Sequence, residues 1–128
     1  MLAQAAFPVP NRLVLVIDDD PGVRHSLKFS LEVEGFTVRD YSSANELLSE
    51  SEIADAGCLV IDYYLPEMNG LEMLNRLRDR RVAAPAILIT SHPSASVRQR
   101  AAEAGVTIVE KPLLGNALVE GIRNAFAQ

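Results

Sequence analysis

The sequence predicts an α/β fold, a doubly wound parallel sheet of five strands with helices on both faces. Two observations carry this. Five short apolar runs alternate with five helical patterns, and no long linker, internal repeat or low-complexity tract divides them. Four of the five runs are rich in Val, Ile and Leu, the composition of strands covered on both faces. At 128 residues the chain is long enough to bury a core of its own as one domain.

The first run, "RLVLVI" (12–17), leads into Asp18, Asp19, Asp20 and Pro21. Pro21 suits a first helical position, which makes Asp20 the N-cap. Val23, Leu27 and Leu31 then form an i, i+4, i+8 stripe, and Gly35 closes the helix in the left-handed conformation. "FTVRD" (36–40) alternates more than the other runs and is expected near a sheet edge. Ser43 and Glu46 fit a capping box ahead of Leu47 and Leu48.

The third run, "CLVID" (58–62), begins with the single cysteine, which can form no internal disulfide and reads as a buried strand thiol. Leu71, Leu74 and Leu77 carry the third helix, and Arg76, Arg78, Arg80 and Arg81 read as its wet end. After "AILIT" (86–90) comes "SASVRQRAAEAG" (94–105), whose inner face offers little beyond Val97 and alanines. At about 25 cal/mol per Å² of apolar burial such a helix is held weakly, so it is expected to be the softest part of the domain. "VTIVE" (106–110) and a helix on Leu114, Leu118, Ile122 and Phe126 complete the series.

The net charge is −5, without the basic face of a nucleic-acid module. No run approaches the roughly 18 apolar residues of a membrane span. Residues 1–11 lack the positive region of a signal peptide, and Pro8 and Pro10 interrupt them. The expectation is a cytoplasmic protein with a loose leader over 1–11 and the domain over 12–127.

In open α/β sheets ligands sit beyond the carboxyl ends of the strands, at the switch in strand order. The first strand ends at Asp18 and Asp19, the third at Asp62, the fourth at Thr90 and the fifth at Lys111. Three carboxylates carry −3, which a divalent cation and the Lys111 ammonium can neutralise. Oxygen-only ligands suit Mg²⁺, and no His or Cys pair has zinc spacing. With the ion present, one carboxylate can attack a phosphoryl donor while Lys111 and the Thr90 hydroxyl stabilise the phosphoryl oxygens. A calcium loop of the EF-hand kind fails, because position twelve from Asp18 is Phe29.

The motifs "VLVIDDDPGVRHSL", "CLVIDYYLPEMNGLEML", "AILITS" and "VEKPL" resemble the receiver domain of bacterial two-component response regulators over residues 12 to 127. The second motif, L-P-x-M-x-G after a strand ending in Asp, is the most specific. The resemblance implies a flavodoxin-like (βα)5 sheet in the order 2-1-3-4-5. It implies that Asp62 accepts a phosphoryl group, that Asp19 binds Mg²⁺ directly and that Asp18 acts mainly through a water of the ion's shell. The Tyr64 backbone carbonyl would complete the metal contacts. Lys111 would pair with Asp62 and the phosphoryl group, and Thr90 would swing inward towards it. The bond before Pro112 is commonly cis in this family. Tyr64 and His92 fall where side chains tune phosphoryl lifetime.

The resemblance further implies a donor, a sensor histidine kinase or a histidine phosphotransfer protein, that engages the first helix around Val23. Phosphorylation would switch binding to a downstream protein. A phosphorylation-dependent homodimer is expected through the fourth helix, fifth strand and fifth helix. Because the last helix finishes at Gln128, the expectation is a stand-alone receiver or a receiver cut from a longer regulator, with no direct nucleic-acid or membrane contact and no separate catalytic domain. One departure stands out: Ile108 occupies the place of the usual Tyr or Phe, so a switch through an aromatic rotamer is lost.

Two alternatives remain at this point. A haloacid-dehalogenase-type phosphatase shares the D-x-D of Asp18 and Asp20, with Asp18 as nucleophile, but needs further acids beyond the lysine, where only Glu120 stands. A phosphate-independent receiver-like binding module is the other, although all five site residues are present.

Overall fold

The computed structural model describes residues 12–113 and 115–127. The expected leader over 1–11, and Leu114 of the last helix, lie outside the described residues. The strands are β1 (Leu13–Ile17), β2 (Thr37–Tyr41), β3 (Cys58–Asp62), β4 (Ala86–Thr90) and β5 (Thr107–Glu110). The helices are α1 (Pro21–Val33), α2 (Ala44–Leu48), α3 (Gly70–Asp79), α4 (Ala95–Glu103) and α5 (Ala117–Phe126). All strand pairs are parallel, in the order β2-β1-β3-β4-β5, so the predicted doubly wound sheet is present and the strand order reverses between β1 and β3.

Alternation along the central strands divides the core in two. Leu15 and Ile17 of β1 and Leu59 and Ile61 of β3 face α2, α3 and α4, where Leu47, Leu71, Leu74, Leu77, Val97 and Ala101 are buried. Val14, Val16 and Val60 face α1 and α5, against Leu27, Leu31, Leu118 and Ile122. Both β3 and β4 are buried along their whole length, whereas β2 alternates and lies at the sheet edge. Each fully buried Val, Leu or Ile contributes roughly 1.5–3 kcal/mol, so these strands anchor the rim that carries the acids.

The local signals have physical counterparts. Asp20 caps α1, its Oδ1 accepting from the Gly22 and Val23 N–H groups at 2.9 and 3.2 Å. Gly35 takes φ +97° after the α1 cap. Ser43 caps α2, accepting from the Glu46 N–H at 3.1 Å. Only half of the expected capping box forms: the Glu46 carboxylate accepts from the Ser42 N–H at 3.0 Å instead of reaching Ser43. Phe126 stacks on Phe36 with ring centroids 5.5 Å apart and packs where Gly57 lacks a side chain.

One expectation is corrected. Arg78 and Arg80 are not simply a wet helix end. Arg78 Nη1 donates to the carbonyls of Val82 and Ala84 at 2.7 and 2.8 Å, and partial burial lowers its pKa. Arg80 donates to the carbonyls of Leu48 and Glu50, both at 2.7 Å. Each guanidinium therefore supplies donors to carbonyls of loops or, at Leu48, of the last turn of α2, where the helix leaves its carbonyls without partners. Among the described residues no helix is long and apolar enough to cross a membrane.

Candidate functional site

Backbone hydrogen bonds alone tie the strand ends to one another. The Asp18 N–H donates to the Tyr41 carbonyl at 3.1 Å, the Tyr63 N–H to Ile89 at 2.9 Å and the Lys111 N–H to Thr90 at 2.9 Å. These bonds extend the β1–β2, β3–β4 and β4–β5 ladders by one step and hold Asp18, Asp62, Thr90 and Lys111 on one rim. Gly70 opens α3 tight against that rim: its N–H donates to the Tyr63 carbonyl at 2.8 Å. A Cβ there would lie 2.7 Å from the Asp62 carbonyl oxygen, so only glycine lets α3 begin so close to β3.

Asp18 and Asp62 are 0% and 4% exposed, while Asp19 faces solvent. Carboxylate oxygens of Asp18, Asp19 and Asp62 all lie within 4.8 Å of one another. Lys111 Nζ stands 3.3 Å from Asp62 Oδ2 and 3.6 Å from Asp18 Oδ2. Asp18 Oδ1 accepts from the Asp20 N–H at 2.9 Å, but the buried Asp18 Oδ2 has no hydrogen-bond partner, the ammonium being too distant to serve as one. Burial first, and the charge of Asp18 second, push the Asp62 pKa up to about 6, with Lys111 offsetting only part of the cost.

An orphaned buried carboxylate oxygen beside two more acids is an unfavourable arrangement by itself. A hard cation among these oxygens would relieve it, so the residues present fit Mg²⁺.

The other predicted positions lie on β4, β5 and the loops after β3 and β4. Thr90 is buried at the end of β4, and its hydroxyl makes only a long 3.5 Å bond to the Ser91 carbonyl. Tyr64 is 61% exposed, edge-on to Tyr63, and its N–H reaches Asp62 Oδ1 at 3.4 Å. His92 is exposed on the loop after β4 with φ +47°, a conformation that side chains other than Asn, Asp and His seldom take. Ile108 is half-buried in β5 against the core, on the strand next to Thr90. The Lys111–Pro112 bond is cis.

Sequence reasoning passed over one feature of the rim. Asp40, which ends the visible chemistry of β2, pairs with Arg24 at 3.0 Å, and the same arginine donates to the Asp18 carbonyl. The available signal was a cation in the first turn of α1 and an acid near the end of the neighbouring edge strand.

The family model for the response regulator receiver domain matches residues 14–123. The chain belongs to this family. It is 36% identical over 113 residues to the transcriptional regulatory protein FixJ of Rhizobium meliloti (strain 1021), a match covering 88% of this chain and 55% of FixJ. The chain thus spans about half the length of that curated relative. Among solved structures, FixJ-N is 32% identical with a TM-score of 0.81, over 94% of this chain and 97% of that one. The beryllofluoride-activated NtrC4 receiver domain dimer is 25% identical with a TM-score of 0.82, over 91% of this chain and 97% of that one.

Receiver domains of response regulators are phosphorylated by histidine kinases, dimerise and generally bind Mg²⁺ at an acidic cluster. They are not catalytic enzyme domains. The phosphatase alternative is not favoured: Asp20, its second acid, is exposed and occupied as the α1 cap. Nor is the phosphate-independent module, since the phosphorylatable receiver accounts for the acids, the threonine and the lysine at one rim.

Proposed function

We propose that this receiver accepts a phosphoryl group on Asp62 from a phosphohistidine of a sensor kinase or phosphotransfer protein. The observation that carries the reading is the Asp62 carboxylate, buried at the sheet's switch point, 3.3 Å from the Lys111 ammonium and within reach of two more acids. Asp18, Asp19, Asp62 and the Tyr64 carbonyl would hold Mg²⁺, whose chemistry here is to offset the charge of the carboxylates and the incoming phosphoryl oxygens.

The chain's own residues divide the work. An Asp62 oxygen attacks phosphorus in line with the donor. The P–N bond breaks, and its electron pair leaves with the imidazole nitrogen. Lys111 turns from Asp62 and Asp18 to the phosphoryl oxygens as charge moves onto them. Thr90, held only by a long bond to Ser91, is free to donate to the same group. Exposed Tyr64 and His92 flank the approach for water and would set how long the phosphate lasts.

The group shifts an existing balance between two conformations only by its differential contacts with Thr90 and Lys111. Ile108 removes any contribution from an aromatic rotamer, so the output runs through the β4–α4 loop and α4, which buries only Val97 and Ala101. The surface of α4, β5 and α5 would then carry dimerisation or a downstream partner, while the donor would engage α1 near Val23. An exposed Arg98–Glu110 ion pair ties α4 to β5 on that face.

Beryllofluoride with Mg²⁺ tests the reading. The amide resonances of Thr90 and Lys111 should shift in the wild type and stay unchanged in Asp62→Asn. Equal shifts in the variant would overturn the assignment of Asp62.

A further inference from the structure

We infer that Arg24 is a positioning residue for the cation-binding acids: anchored on Asp40, it fixes the peptide that joins Asp18 to Asp19. The inference rests on the reading that these acids hold Mg²⁺. Arg24 lies in the first turn of α1 and reaches back across the loop that precedes it. Its Nη1 donates to the Asp18 carbonyl oxygen at 2.9 Å, and its Nε to Asp40 Oδ2 at 3.0 Å. The Arg24 side chain is 13% exposed, and Lys28 stands 3.8 Å from the other Asp40 oxygen.

The consequence follows from covalent geometry. The Asp18 carbonyl shares a rigid plane with the Asp19 N–H. Asp18 is already held by its N–H to Tyr41 and by Oδ1 from the Asp20 N–H. Arg24 adds the third hold, on the carbonyl. Among the described residues no hydrogen bond or ion pair holds the Asp19 carboxylate, so what the fold fixes is the backbone from which this side chain extends. The planar guanidinium suits the task, because it spans a carbonyl and a carboxylate in fixed geometry where a lysine head would serve one. Asp40 orients the guanidinium and offsets its charge beside a site meant for a dication.

That charge separates positioning from simple electrostatics. By Coulomb's law alone, removing Arg24 should tighten Mg²⁺ binding, since a cation leaves the neighbourhood. If Arg24 positions Asp19, its removal weakens binding. Outer partners of metal ligands typically matter about 10-fold in affinity or more.

The test is a Mg²⁺ titration of the chelator-stripped full chain, followed by calorimetry and by amide shifts. The wild type must bind, and Asp19→Asn must bind far more weakly; if not, the reading of the site fails and the inference falls with it. Given that, Arg24→Met and Asp40→Asn should each raise the Kd about 10-fold, and the double variant should be no weaker than the worse single one. Arg24→Lys, which keeps the charge but not the span, should fall between. Arg24→Met binding as tightly as wild type or tighter, with only a lowered ion-free melting temperature, would make Arg24 a structural residue and overturn the proposal. Should Arg24→Met not fold, Arg24→Lys decides: an unchanged Kd overturns it.

Discussion

Gly70 and Asp62 touch through space across the start of α3: a Cβ on Gly70 would sit 2.7 Å from the Asp62 carbonyl oxygen and equally close to Leu88 Cδ1. The backbone oxygen cannot turn aside as a flexible side chain would. Gly70→Ala must therefore move α3 away from the residue that carries the chemistry. The expected cost is about 1–3 kcal/mol by chemical denaturation, with weakened Mg²⁺ binding alongside. A loss of less than about 0.5 kcal/mol would mean that the helix start yields without strain.

The Asp62 carboxyl makes the ion-free domain less stable as pH rises. Its folded pKa is about 6 against 3.8 unfolded, so between those values the folded state holds more of its proton. Stability from this group is fully present below pH 4 and declines as pH rises through 6, by at most about 3 kcal/mol. Asp62→Asn should remove that decline and melt higher than wild type in chelator at pH 7.5, with the difference vanishing near pH 4. Mg²⁺ should close the same gap for the wild type. Melts of both proteins at the two pH values decide it.

Cys58 offers an internal gauge of unfolding. It is fully buried at the start of β3, and burial pushes its thiol up to about 12. A thiol reagent at pH 8 should modify it only as fast as the domain opens globally. Stoichiometric labelling of the native protein within seconds would contradict the burial.

α4 should exchange its amide hydrogens faster than α1 or α3. It buries only Val97 and Ala101, whereas α3 buries Leu71, Met73, Leu74 and Leu77 besides Gly70. Native-state hydrogen exchange measures this directly, and α4 protection equal to that of α3 would contradict the account.

Much of this was legible in the sequence because it depends on local chemistry. Apolar runs bounded by charged or turn residues mark β3 and β4 to the residue, and the residue that ends each run is the one that reaches the rim. Asp20 before Pro21 reads as a cap without any knowledge of its neighbours. Long side chains were less legible, since their partners are chosen by tertiary placement. Arg78 and Arg80 turn back to loop carbonyls, Glu46 reaches Ser42 and not Ser43, and Arg24 bridges Asp18 and Asp40. The orphaned Asp18 Oδ2 was equally out of reach, because it follows from how deeply β1 is buried.

The most direct test of the central claim is to incubate the protein with Mg²⁺ and acetyl phosphate and map the label by mass spectrometry. The account predicts one acid-stable, base-labile adduct, on Asp62, absent without Mg²⁺ and absent in Asp62→Asn. Label on Asp18, or undiminished label in the variant, would contradict it.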